Sequence, residues 1–541
     1  MPLRAALLAP LLSLAIALPA PAQERPAFSS DAIRADVTFL ADDLLEGRDG
    51  GTRGYDIAAR YVAARFTALG LEQIVPGSWY QPVTLAVATL EKDSPARLTI
   101  GGRAFDNGGD VVIGAFGREP KQGLEAGAVF VGYGLQSARE KIDDYAGLDL
   151  RGKWAVALSG SPVGMPSEIG AHLAAEKAQA AQKAGAIGLV TIPSAAMLAR
   201  MPWERLRERA GDPSVGWMQP DGQLYVRTPG IRGSAYAHGA AAEALLAGSG
   251  RTLAAIRAEA GKKGGRPKGF ALKPMIRLDR TSSVAIAPSS NVLAVLPGSD
   301  PALAGEYVLL MAHLDHVGVK PDTPGKDKIH NGAMDNASGV ATMMAVAKAF
   351  AESGTRLKRP ILFAAVTAEE DGLLGSQYLA KNPVLPEGGK LVGVVNLDMP
   401  ILTYDFQDVV AFGAEHSTLG PIVEKAAKSE GVVLSPDPLP AEGLFTRSDH
   451  YRFVEEGVPS VFLMTGFAGP GKAAFEHFLK TDYHKPSDQI DLPFHWEAAA
   501  KFARVNYAIA REIADAAEAP RWYEGDFFGD AFAPGQAKAK P

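Results

Sequence analysis

The sequence predicts an α/β protein built on a doubly wound, mixed but mainly parallel sheet with helices on both faces. Three apolar runs carry that expectation: residues 307–311, 361–366 and 391–395 each have the length and composition of a strand buried on both sides. Between the first two, residues 337–351 are alanine-rich and free of proline, which reads as a crossover helix and gives the order strand, helix, strand. In such sheets ligands bind in the crevice beyond the carboxyl ends of the strands, and the three runs end close to His313, Glu370 and Asp398.

Those three residues belong to a longer constellation made of His313 and Asp315, Asp335 within the polar stretch 331–339, the pair Glu369-Glu370, Asp398, and His484 after Tyr483. Imidazole nitrogens and carboxylate oxygens without thiolates suit zinc or a similar divalent ion, and the chain contains no cysteine. Two histidines and three carboxylates are too many donors for one tetrahedral catalytic ion that also keeps a place for water. They suit two ions sharing a bridging carboxylate. A neighbouring carboxylate that binds no metal would then take a proton from water and return it to the leaving amine, and Glu369 fits that role. Singly, each piece has an ordinary reading: a satisfied histidine, an acidic first turn of a helix, a strand end, a proline-containing turn. Their combined order and spacing favour a hydrolytic metal site.

The set resembles the M28 family of co-catalytic zinc metallopeptidases, relatives of the bacterial leucyl aminopeptidases. The resemblance implies a zinc-exopeptidase-like fold and two Zn2+ per chain, with other divalent ions possible. His313 and Asp398 would bind one ion, Glu370 and His484 the other, and Asp335 would bridge both. Glu369 would be the general base and Asp315 the carboxylate that orients His313. Asn336 matches the residue after the bridging aspartate, across a peptide bond that is often cis in the family. Residues 445–453 also resemble a stretch near the family's substrate pocket, which makes Asp449 and His450 candidates for supporting or substrate-facing groups; the plain reading is a polar helix start capped by Ser448. His316 and His330 fall outside the matched positions, and His172, His238, His416, His477 and His495 have no supporting pattern, so none is placed in the site.

The activity this implies is that of an exopeptidase acting on peptide substrates, foremost an aminopeptidase. Carboxypeptidases, for which Arg447 could grip a C-terminal carboxylate, and dipeptidases share the metal set. Glutaminyl cyclases use a similar fold, generally with one zinc. A noncatalytic binding protein is disfavoured because every expected ligand and the base are present.

A length of 541 residues with 47% hydrophobic content suggests two or more domains, and a net charge of −6 gives no reason to expect nucleic-acid binding. Arg4, the apolar run 5–18 and Ala20-Pro21-Ala22 read as a cleaved signal peptide over 1–22. That run is shorter than the ~20 apolar residues of a spanning helix, and no later stretch qualifies, so the expectation is an exported, periplasmic or secreted protein without stable membrane insertion. Its oligomeric state is left open. Residues 29–71 read as helices, with Ile57, Tyr61, Val62, Phe66 and Leu69 at helical spacing and Gly70 as the stop. Leu44 to Arg48 with Gly51 to Gly54 resembles the start of M28 peptidase domains.

Residues 128–134, 144–148, 152–158 and 184–190 form a separate pattern of strands and tight glycine turns, with 171–183 as one amphipathic helix. They resemble a protease-associated (PA) domain, which implies a β-rich insert placed beside the active site. The expected division is a signal peptide at 1–22, a discontinuous M28-like peptidase domain at 23–117 and 271–520, the insert at 118–270, and a tail at 521–541. The tail's aromatics should pack back on the body, and its last few residues should be disordered.

Overall fold

A computed structural model describes residues 26–94, 96–354 and 356–541. The expected signal peptide lies outside them. The three apolar runs are strands Glu306–His313, Ile361–Val366 and Lys390–Leu397, and the crossover helix is Ser338–Ser353. The His313 strand lies in the middle, paired in parallel with the other two. Beyond Lys390–Leu397 follow Ser460–Thr465 in parallel, then Asp408–Phe412 antiparallel, then Val433–Ser435. On the other side Ile361–Val366 pairs antiparallel with the end of a long strand, Phe270–Leu296.

Both faces of this sheet are covered, which is why its strands read as unbroken apolar runs. Val308, Leu310, Ala312 and Phe363 point into one core with Met343, Ala347 and Phe350 of the crossover helix and Phe502 of helix Trp496–Asp515. Leu309, Met311, Leu362 and Ala364 point the other way, onto Leu379 of helix Leu374–Lys381 and Phe453 of helix His450–Val454. The N-terminal helices are Ser30–Leu40 and Arg53–Ala68, capped by the side chains of Ser29 and Thr52, and the second ends before Gly70 at φ 69°. Among the described residues no helix is long and apolar enough to cross a membrane.

The long strand continues into a second arm of the sheet. Its first half pairs antiparallel with Lys121–Phe130, and from there Trp154–Leu158, Gly188–Ile192 and Gly233–Ala237 follow in parallel. Strands Arg97–Ile100, Arg103–Asp106 and Val111–Val112 pair within this arm too. The arm therefore takes in residues that the sequence reading assigned to the peptidase segment ending at 117; strands this short carry too few residues to show which sheet they join. The single helix expected over 171–183 is two, Ser167–Ala175 and Lys177–Lys183, separated at Glu176. Lys177 turns inward there, its ammonium donating to the Gly160 carbonyl at 2.6 Å and to that of Leu158.

The tail is held more tightly than expected. Trp522 and Phe528 are buried, as predicted for its aromatics. Contrary to the expected disorder, the chain end is pinned: Ala539 N donates to Trp522 O at 2.8 Å, Glu524 N donates to Ala539 O at 2.7 Å, and Lys538 Nζ donates to Ala533 O at 2.9 Å. Main-chain pairing and one inward lysine outweigh the small-residue composition.

The arm, the sheet and the tail meet at His416, whose Nδ1 lies 2.7 Å from Asp526 and Nε2 2.9 Å from Glu168. Burial works against its charge, but the two carboxylates outweigh it and push the imidazole up to about 10. A raised folded-state pKa means that this stabilisation is fully present below about 6.5 and is lost as pH rises through about 10. His416→Ala, which leaves two carboxylates facing each other, is expected to cost about 3–5 kcal/mol at pH 7. The gap between the unfolding midpoints of the two proteins should narrow as pH rises through about 10, and a gap that does not change with pH would reject the charged triad.

Candidate metal centre

The donors converge because four of them stand at carboxyl ends of parallel strands or in the turns just beyond. His313 ends its strand, Glu370 follows Ile361–Val366, and Asp398 follows Lys390–Leu397. Asp335 sits in the irregular turn Ala333–Ala337 ahead of the crossover helix, after Gly332 at φ 61°, and its peptide bond to Asn336 is cis, as the resemblance implies. His484 lies in the turn after helix Gly471–Thr481.

The two oxygens of Asp335 face different groups. Oδ1 is 3.3 Å from His313 Nε2, which is 3.2 Å from Asp398 Oδ1. Oδ2 is 3.2 Å from His484 Nε2, which is 3.1 Å from Glu370 Oε2. His316 joins the second group: its Nδ1 lies 2.8 Å from Glu370 Oε1 and 3.9 Å from Asp335 Oδ2. His313, Asp335 and Asp398 bring ligand atoms within 4.8 Å of one another, and so do His316, Asp335 and Glu370. Imidazole nitrogens and carboxylate oxygens at this spacing, with no sulfur, fit divalent ions of the zinc type.

Polar contacts fix each donor. The Nδ1 of His313 is 3.2 Å from the main-chain carbonyl of Asp315, whereas the Asp315 carboxylate stands 4.0 Å from it. That carboxylate instead accepts from the amides of Glu369 and Glu370 at 3.1 and 3.2 Å, so Asp315 ties both glutamates to the His313 strand. Asn336 donates to Leu397 O at 2.9 Å and accepts from Met399 N at 3.2 Å, joining the Asp335 turn to the strand end that carries Asp398. Asp488 accepts from the amides of Met334 and Asp335 at 2.8 and 3.0 Å. Ser448, instead of capping a helix, donates to Asp398 Oδ2 at 2.6 Å.

Arg48 is the largest contributor the sequence did not single out. It is 1% exposed, and its guanidinium donates to Leu314 O at 2.9 Å, Asn331 O at 2.5 Å, Gly332 O at 3.0 Å and Leu40 O. It thus clamps the turn after His313 to the turn before Asp335. The resemblance of 44–48 to the start of a peptidase domain was the only signal at this position.

The carboxylates set the electrostatics. Burial raises the cost of charge on Asp335, but hydrogen bonds from His313 and His484 outweigh it and hold the carboxyl well below its ordinary range. Burial likewise disfavours charge on His484, yet Glu370 and Asp335 push the imidazole up to about 10. The cluster therefore attracts positive charge, which a divalent cation supplies. Glu369 differs: burial, and then the neighbouring carboxylates of Asp449, Asp398 and Glu370, push it well above the carboxylate range. Asp449 is fully buried and pushed by burial up to about 6. His450 is buried between Phe445 and Phe462, and burial holds it down to about 3. Asp449 thus faces the site's charges while His450 packs in an aromatic core.

Carboxylate and imidazole donors gathered at the carboxyl end of an α/β sheet define a site able to hold divalent cations. Residues 291–510 match the model of Peptidase family M28. It is similar to a probable leucine aminopeptidase 2 of Aspergillus oryzae, 27% identical over 43% of this chain and 46% of that protein. It is also similar to leupeptin-inactivating enzyme 1 of Streptomyces exfoliatus, 31% identical over 33% and 36%. The chain spans less than half the length of these relatives. The solved aminopeptidase from Aneurinibacillus sp. strain AM-1 shares the fold, with a TM-score of 0.52 and 20% identity over 90% of this chain and 94% of that one.

Proposed function

We propose that the protein is an exported zinc-dependent exopeptidase with two ions per chain, foremost an aminopeptidase that removes N-terminal residues from peptides. The observation that carries this reading is Asp335, whose two oxygens face two separate donor groups. His313 and Asp398 would hold one ion, Glu370 and His484 the other, and Asp335 both. Bound zinc would supply Lewis acidity toward a substrate carbonyl and toward water. Glu369 would do the proton work: its carboxylate takes the proton from the attacking water and returns it to the leaving amine. Asp315 holds the main chain of Glu369 in place for it. The relatives named as leucine aminopeptidases support the substrate class. The carboxypeptidase alternative gains nothing, because Arg447 is exposed and already 3.5 Å from Glu442. The arm that pairs with residues 270–281 of the long strand is, on this reading, the PA-like insert beside the site.

The test is hydrolysis of matched free and N-acetylated peptides by the purified protein, with metal counted, removed by chelator and restored with zinc. Release of N-terminal residues from free peptides only, lost on chelation, recovered with zinc and accompanied by two metals per chain, is the expected result. Cleavage of blocked peptides from the C-terminus would replace the aminopeptidase with a carboxypeptidase, and turnover indifferent to chelation would remove the metal from the reaction.

A further inference from the structure

His316 is fully buried and sits in the centre in a fixed pose. Its ring lies against Gly332, where a Cβ would come within 2.5 Å of the imidazole Cγ, so the left-handed glycine makes the room it occupies. Its other flank meets the His484 ring edge-on at 5.5 Å. Nδ1 faces Glu370 and Asp335, and Nε2 has no hydrogen-bond partner among the described residues. A neutral imidazole carries one proton. With that proton on Nε2, Nδ1 presents a lone pair toward two carboxylates, an arrangement that a cation between them resolves.

We propose that His316 is a fourth protein ligand of the ion held by His484, Glu370 and Asp335, an assignment that rests on the two-ion reading above. The two positions then differ in kind. The ion on His313, Asp398 and Asp335 has three protein donors and keeps an open place, as catalytic zinc sites do, whereas four donors close the other position in the manner of structural zinc. One ion is held firmly as part of the scaffold, and the other is exchangeable and faces the chemistry.

The experiment is graded chelation of the zinc-loaded wild type, His316→Ala and His316→Gln, with zinc counted at each step and cobalt substitution followed by visible absorption. The wild type should keep one equivalent through chelator concentrations that strip the other. Both variants should lose the retained ion with affinity reduced by more than the roughly 10–100-fold that loss of a ligand's outer hydrogen-bond partner costs. Their cobalt spectra should change at that position. Glutamine can still hydrogen-bond to Glu370, so wild-type retention by His316→Gln would overturn the assignment and leave His316 an orienting neighbour. Two ions retained equally by all three proteins would overturn it while sparing the two-ion reading. A wild type that takes one zinc, lost in both variants, would refute the two-ion reading and keep His316 as a ligand.

Discussion

Glu369→Gln is expected to reduce kcat by about 10²–10⁴-fold while the zinc content stays at its wild-type value, the size of effect associated with removing a general acid–base group. The separation of the two readouts follows from geometry. Glu370 approaches His484 and His316 at 3.1 and 2.8 Å, but Glu369 belongs to neither donor group. Its amide is held by Asp315 through the main chain, a contact that the substitution leaves intact. Glutamine keeps the volume and removes the proton exchange. Turnover within a few fold of wild type would disprove the base assignment, and simultaneous loss of zinc would make Glu369 a ligand or scaffold group instead. The contrast is sharpest with Glu370→Gln, which should lose metal first and turnover as a consequence.

Arg48→Ala is expected to lower the unfolding free energy by about 3–5 kcal/mol, because it strands several buried carbonyls that the guanidinium serves at once. Burial lowers the pKa of Arg48 to about 10, with Asp488 and Asp315 acting in the opposite direction, so it remains charged at neutral pH. The carbonyls of Leu314, Asn331 and Gly332 belong to the two turns that carry His313 and Asp335. Weakened zinc binding should therefore accompany the stability loss, measurable as a lower unfolding midpoint together with a lower metal count. Arg48→Lys should recover only part of it, since an ammonium cannot present a planar fork to carbonyls on different sides. Unchanged stability in Arg48→Ala would mean that these carbonyls find other partners.

Much of the site was legible because its signals are local. A strand buried on both faces must be an unbroken apolar run, and the donors lie at its carboxyl end or within a few residues of it, which is how His313, Glu370 and Asp398 could be read in line. What escaped is what depends on contact between distant segments. Ser448 looked like a helix cap and is a partner of Asp398. Asp488, a few residues past His484, holds the amides of the Asp335 loop. The tail's composition suggested disorder, yet its end pairs with the main chain at Trp522.

The sequence by itself determined the order of strands and crossover helix and the carboxylate and imidazole residue types at their ends, because periodicity and residue type act within one element. Only the tertiary structure decided that His316 faces the donors, that Arg48 clamps two turns, and that strands 97–112 join the second arm. A residue's side of a turn, and the main chain it meets there, are set by how separate elements pack, which no local pattern encodes.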